Sequence, residues 1–197
     1  MTLQAAILAA GQSQRFGEAN KLLAPLGDSF VLQRSVDTVS SVLPRQQIRL
    51  ILGHQAAALV ARFPTLSHGH NLSYQEGLAS SLRCAVKQAE QSLSCQALLV
   101  LLADQVLLNT DDLSHLIQVW RQQPNDIICA DYGERRGVPA VFPRSVWPQL
   151  NELKGDQGGK ALLRSSDVVT VAMANAAFDI DTPDDLKRAQ DRLLTQE

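Results

Sequence analysis

Leu3-Gln4-Ala5-Ala6-Ile7-Leu8-Ala9-Ala10 is an apolar run that opens directly into Gly11-Gln12-Ser13-Gln14-Arg15-Phe16-Gly17-Glu18-Ala19-Asn20-Lys21. The run reads as a strand, and the segment after it reads as a glycine-anchored basic loop suited to a triphosphate. Gly11 permits a tight turn and leaves backbone N–H groups unobstructed, because no Cβ stands in front of them. Ser13 adds a hydroxyl donor, Arg15 a planar fork and Lys21 a mobile point charge. Gly17 allows a second close approach. No acidic residue precedes Glu18, so the loop's own charge favours an anion.

Counting removes two common phosphate loops. A P-loop requires G-x-x-x-x-G-K-[ST], but Phe16 stands where its second glycine would be, and Leu22 follows Lys21. A dinucleotide fingerprint requires G-x-G-x-x-G, and Ser13 occupies its second glycine.

Short apolar runs alternate with helical patterns along the rest of the chain. Strands are predicted at 48–52, 72–74, 98–102, 127–130, 138–142 and 168–173, with a further stretch near Phe178 completing the sheet. Helices are predicted over about 30–42, 78–92 and 111–122, the last capped by Thr110 or Asp111. The stretch 55–63 is alanine-rich, and Pro183 begins a final helix at its first turn. No linker or repeat divides the sequence, which predicts one domain over 1–197. The alternation predicts a largely parallel sheet with helices on both faces, and ligands then bind beyond the carboxyl ends of the strands.

Composition narrows the partners. A formal net charge of -2 argues against nucleic acid, which needs a broad basic face. Three separated cysteines (Cys84, Cys95, Cys129), with no C-x-x-C pair, predict reduced thiols rather than zinc ligation. The first apolar run lacks a basic lead and the run 97–103 is too short to span a bilayer, so a cytoplasmic protein without a membrane segment is expected.

Residues leaving the strand ends are the chemical candidates. Asp104 follows the most apolar strand, where a carboxylate is well placed for Mg²⁺, a hard cation that prefers oxygen. Asp179 and Asp181 alternate onto one side of the segment before Pro183, and either could be a second ligand. Asp184 and Asp185 suit the helix dipole instead. Two glycine-bearing segments, Asn71-x5-Gly77-Leu78-Ala79-Ser80-Ser81 and Gly155-Asp156-Gln157-Gly158-Gly159-Lys160, offer turns or a helix start to a base or acceptor. The histidines (His54, His68, His70, His115) call for no catalytic part.

In this order the motifs resemble the MobA-like nucleotidyltransferase family, most closely its molybdenum cofactor cytidylyltransferase branch, over Leu3 to about Leu186. The resemblance implies a Rossmann-like nucleotidyltransferase fold, three-layer α/β/α with a mostly parallel central sheet. It implies transfer of CMP from CTP, or of a nucleotidyl group from another nucleoside triphosphate, to the phosphate of molybdopterin, with Mg²⁺ as cofactor and a molybdoenzyme as recipient. By position, Ala10, Gly11, Ser13, Arg15 and Lys21 would hold the triphosphate, and Asn71, Gly77 and Ser81 would lie near base and ribose. Asp104 and Asp181 would bind the metal, with Arg15, Lys21 and Asp104 carrying the catalysis. The same reaction with GTP, or a molybdenum cofactor carrier with little turnover, are the alternative readings. The chain departs from the family at Val106, where a proline is usual, and at Val138, where a histidine is usual.

Overall fold

The structure is a computed structural model and describes residues 2–195 except Glu18, Glu134, Gly158 and Ser166. The central strands are β1 (Thr2–Ala9) and β6 (Cys95–Leu102). Their apolar runs are long enough to be covered on both faces, as a central parallel strand requires. They pair in parallel with Leu8 opposite Leu102. Outward from β1 lie β4 (Ile48–Leu52) and β5 (Ser67–His70), and outward from β6 lie β8 (Arg136–Pro143), β7 (Ile128–Asp131) and β9 (Val169–Ala172). β8 alone runs against its neighbours, so the seven-stranded sheet is mostly parallel. A small hairpin of β2 (Pro25–Leu26) and β3 (Ser29–Phe30) stands apart.

Alternation along the strands sends side chains into two cores. Leu3, Ala5, Ile7 and Ala9 face one with α1 (Val31–Ser40), α2 (Ala56–Arg62), α4 (Thr110–Gln122) and α7 (Pro183–Leu194). Ala6 and Leu8 face the other with α3 (Leu78–Glu90), α5 (Trp147–Asn151) and α6 (Lys160–Leu163). The result is the three-layer α/β/α arrangement the sequence predicts. On α1 the buried positions Val31, Leu32, Ser35, Val36 and Val39 form one helical stripe. Ser35 donates from that stripe to the Ala103 carbonyl at 2.8 Å, which fixes α1 beneath the end of β6. Burying a large apolar side chain such as Trp120 or Leu32 contributes roughly 1.5–3 kcal/mol each.

Three local expectations are corrected. The strand expected at 72–74 lies earlier, at β5. Asn71 ends that strand, its side-chain oxygen accepting from the Ser73 N–H at 3.0 Å, and Leu72 projects into solvent at 91% exposure. The Ser-His-Gly-His sequence of β5 carries no apolar alternation because it is an edge strand. Near Phe178 no strand forms. Ala174–Ala177 makes a 3-10 turn instead, and the Phe178 ring lies under the Arg192 guanidinium of α7 at 4.9 Å. The cap of α4 is neither Thr110 nor Asp111 but Asn109, in a reciprocal capping box with Asp112.

That box gives a test of the fold. Asn109→Ala removes an acceptor for the Asp112 N–H and is expected to lower stability by about 1 kcal/mol in urea denaturation, with the slope of the transition unchanged.

Candidate active site

Parallel pairing places the ends of β1 and β6 side by side, and the Ala103 N–H donates to the Leu8 carbonyl at 3.1 Å. A cleft of about 500 Å³ opens directly beyond them. Ala10, Gly11, Ser13, Arg15, Lys21, Gly77, Ser81, Asp104 and Asp181 all line it. A Cβ built at Gly11 would meet no protein atom within 4 Å, so the space in front of this residue belongs to the cleft. The loop then turns through Ser13, whose φ of 55° is left-handed, into a 3-10 turn at Gln14–Phe16.

A second 3-10 turn, Lys21–Leu23, is capped by Asn20, whose side chain accepts from the Leu22 N–H at 3.0 Å. With Leu22 buried, this turn anchors the base of Lys21 at the cleft floor. The Lys21 ammonium lies 2.6 Å from Asp104 Oδ2 and 3.0 Å from Asp181 Oδ1. Burial works against its charge, yet attraction to and hydrogen bonding with Asp104, then Asp181, hold its pKa above the ordinary lysine value. Arg15 reaches the other oxygen of Asp181 at 2.8 Å from a 74% exposed position.

The acidic residues converge because the backbone joins their segments. The Ile180 N–H donates to the Asp104 carbonyl at 3.2 Å. One carboxylate oxygen each from Asp104, Asp179 and Asp181 then lies within 4.8 Å of the others. Burial, followed by the nearby charges of Asp104 and Asp181, raises the Asp179 pKa, and Lys21 partly offsets the rise. Asp104 Oδ1 is buried and has no hydrogen-bond partner. An orphaned carboxylate oxygen beside two further carboxylates fits the oxygen-ligand preference of a divalent cation.

Two residues outside the cleft set this geometry. Gln105 is buried and uses its whole amide: Oε1 accepts from the Leu102 N–H at 3.1 Å, and Nε2 donates to the Val138 and Ala176 carbonyls at 2.8 Å each. It thereby ties β6 to β8 and to the turn that precedes Asp179. Asp185 caps α7 and accepts from the N–H groups of Asp181 at 3.2 Å and Thr182 at 2.8 Å. Burial opposes its charge, but the Thr182 hydroxyl, Arg188 and those N–H groups pull its carboxyl down to about 2.

On the opposite wall, Asn71 does not line the cleft. It stands behind it, donating to Ser80 Oγ at 2.8 Å and to Ser81 Oγ, itself at the cleft wall, at 3.1 Å. Gly77 has a φ of 110°, and a Cβ there would run into the Asp156 side chain and come within 3.0 Å of its Cα. Asp156, Tyr74 and Gln75 are lining residues that motif reading did not single out. Asp156 was legible only as part of the second glycine turn, whose Gly158 lies outside the described residues. The two departures from the family differ in position. The Val106 side chain is fully buried in the core, and its carbonyl accepts from Arg34 Nε at 3.0 Å. The Val138 carbonyl accepts from Gln105 and from the Tyr132 hydroxyl.

The MobA-like NTP transferase domain family matches residues 5–171. Among curated relatives, the purine catabolism protein PucB of Bacillus subtilis is 28% identical over 90% of this chain and 91% of its own length. The molybdenum cofactor cytidylyltransferase of Escherichia coli is 27% identical over 94% of each chain. The molybdenum cofactor guanylyltransferase of Mesorhizobium japonicum is 27% identical over 95% of this chain and 94% of its own. Rv0371c of Mycobacterium tuberculosis, solved in complex with manganese, superposes with a TM-score of 0.78 at 27% identity, covering 97% of this chain and 99% of that one. Among the described residues, no helix is long and apolar enough to cross a membrane.

Two variants test the supports of the site. Asp185 ionises more readily in the folded protein than at its ordinary 3.8, so its contribution is present above about pH 4 and is lost as pH falls through about 2. The stability difference between the wild type and Asp185→Asn, from urea denaturation, is therefore expected to shrink across that window. Gln105→Met takes Nε2 from the Ala176 carbonyl and Oε1 from the Leu102 N–H, while the Val138 carbonyl keeps the Tyr132 hydroxyl, and a loss of about 1–3 kcal/mol for each unsatisfied group is expected in the same measurement.

Proposed function

The chain belongs to the MobA-like NTP transferase family and is a nucleotidyltransferase, and from that premise we propose that it transfers CMP from CTP to the phosphate of molybdopterin and releases pyrophosphate. The observation that carries this reading is the cleft at the ends of β1 and β6, where the basic loop of Gly11–Lys21 faces Asp104, Asp179 and Asp181. The reaction unit is one nucleotidyltransferase domain spanning 1–197, acting in the cytoplasm and passing its product to a molybdoenzyme.

In this reading Ala10, Gly11 and Ser13 present the loop backbone to the triphosphate. Gly77 and Ser81, the latter oriented by Asn71, border the base and ribose. An oxygen of the acceptor phosphate attacks the α-phosphorus of CTP. The new P–O bond forms as the bond to the β-phosphate oxygen breaks, and the electron pair leaves with pyrophosphate. A phosphate is already an adequate nucleophile, so the work is alignment and charge neutralisation. Arg15 and Lys21 take the negative charge that builds on the α-phosphate and the departing group. Asp104 and Asp181 would hold Mg²⁺, which would supply further neutralisation of the phosphate oxygens.

A second reading, the same transfer with GTP, is favoured by the guanylyltransferase relative at the same 27% identity as the cytidylyltransferase. The carrier alternative rested on Val106 and Val138, and the core packing of Val106 gives that departure a structural reason of its own. Pyrophosphate release in the presence of molybdopterin distinguishes the readings. Release with CTP and none with GTP is the expected result. Release with GTP alone overturns the base assignment, and release with neither removes molybdopterin as acceptor. Asp104→Asn is expected to lower metal-dependent release by on the order of 100-fold or more, with its thermal transition still cooperative. Full activity in that variant would place the metal elsewhere.

A further inference from the structure

The ammonium of Lys21 bridges two carboxylates of the acidic cluster, Asp104 and Asp181. Nζ is 2.6 Å from Asp104 Oδ2 and 3.0 Å from Asp181 Oδ1, and the Lys21 and Asp104 side chains are each only 12% exposed. Three carboxylate oxygens gathered within 4.8 Å repel one another, and Lys21 is the shielded cation among them. Arg15 also pairs with Asp181, but from solvent, where such a pair contributes little. A small divalent cation binds carboxylate oxygens at about 2.0–2.1 Å. A cation that takes Asp104 Oδ2 and Asp181 Oδ1 competes with Nζ for the same two oxygens, and one that takes the unpartnered Asp104 Oδ1 still places like charge beside the ammonium on the same carboxylate.

We propose that Lys21 is the resident counter-cation of this site, exchanged for a divalent cation far more readily when a triphosphate is present to receive its ammonium. The proposal rests on the nucleotidyltransferase reading and adds a linkage to it. Without nucleotide, metal binding must push a shielded ammonium off its carboxylates with no anion to take it. With nucleotide, the ammonium moves by side-chain rotation from Asp104 and Asp181 to the phosphates, because its backbone is pinned by the Asn20 cap and buried Leu22. Metal and triphosphate then each favour the other's binding by the same factor, as any coupling of two equilibria requires. The protein alone has low metal affinity, which keeps the carboxylates paired until substrate arrives.

The test uses Mn²⁺ as probe, with free Mn²⁺ read by electron paramagnetic resonance and no turnover involved. Wild type, Lys21→Met, Arg15→Met and Asp104→Asn are titrated without nucleotide and with a CTP analogue carrying a methylene bridge between the α- and β-phosphates. Lys21→Met is expected to bind Mn²⁺ about tenfold tighter than wild type without nucleotide, a change typical of such couplings. It is also expected to lose most of the analogue's enhancement. Arg15→Met, which removes the same charge from an exposed position, is expected to change nucleotide-free affinity much less. Nucleotide-free Mn²⁺ affinity in Lys21→Met no tighter than in wild type, or equal tightening in both variants, overturns the proposal. Lys21→Gln, with a neutral donor, repeats the test if Lys21→Met fails to fold. Asp104→Asn separates this failure from that of the underlying reading. Unchanged Mn²⁺ affinity in that variant means the metal is not at this site. Lost affinity there, with no gain in Lys21→Met, refutes only the exchange.

Discussion

The parallel pairing of β1 with β6 is the constraint on which the rest of this structure depends. Its register, Leu8 opposite Leu102, decides that the loop opening at Ala10 and the carboxylate at Asp104 leave the sheet next to each other. A shift of one residue would exchange the faces of every side chain on the strand, turning Ile7 and Leu8 each into the other's core. Because both strands are buried on two sides, that register is held by two cores at once. The cleft is therefore attached to strands buried on both faces, and Arg15 and Lys21 reach across it to carboxylates held at the strand ends. Preorganisation of this kind is what phosphoryl chemistry demands, since little covalent work falls to the protein.

How much of this could be read from the sequence depends on how local each signal is. β1, β6 and the helices α1, α3 and α4 carry apolar patterns whose period belongs to the element itself, and their positions emerge within a few residues. β5 does not, because an edge strand of Ser-His-Gly-His needs no apolar face. The segment around Phe178 misleads in the opposite direction. Its apolar residues pack against α7 and its backbone is drawn toward Gln105, so the period of a strand is present without a neighbouring strand to pair with. The basic loop and Asp104 are legible because each sits within a few residues of a strand end. Asn71 is legible as part of the site but not in its role behind Ser81, since sequence spacing gives proximity and not the direction of a side chain. Tyr74, Gln75 and Asp156 lie inside the two glycine-bearing segments, but spacing does not tell which of those residues turn into the cleft.

The electrostatic design explains why the acidic cluster stays folded. Three close carboxylates are costly unless counter-charge or hydrogen bonds compensate them. Lys21 supplies charge from one side and Arg15 from another. The backbone supplies the rest, through the Ile180 N–H to the Asp104 carbonyl and through the capping box that fixes Asp181 to the start of α7. Asp185 is the far end of that arrangement. Its carboxylate accepts from Asp181's own backbone, so the helix cap and the acidic site are a single hydrogen-bonded unit.

The same connectivity locates the two family departures differently. Val106 faces the core, where a branched apolar side chain packs fully and where its carbonyl still anchors Arg34. The position leaves the cleft wall untouched. Val138 is coupled to the site through its carbonyl, which Gln105 and Tyr132 both use. A carbonyl is present whatever the side chain, so the tie that holds β8 to β6 does not depend on the valine side chain. What changes is only the side chain beside that tie. The side chain at 138 therefore leaves the basic loop after β1 and the carboxylates at the end of β6 in their geometry.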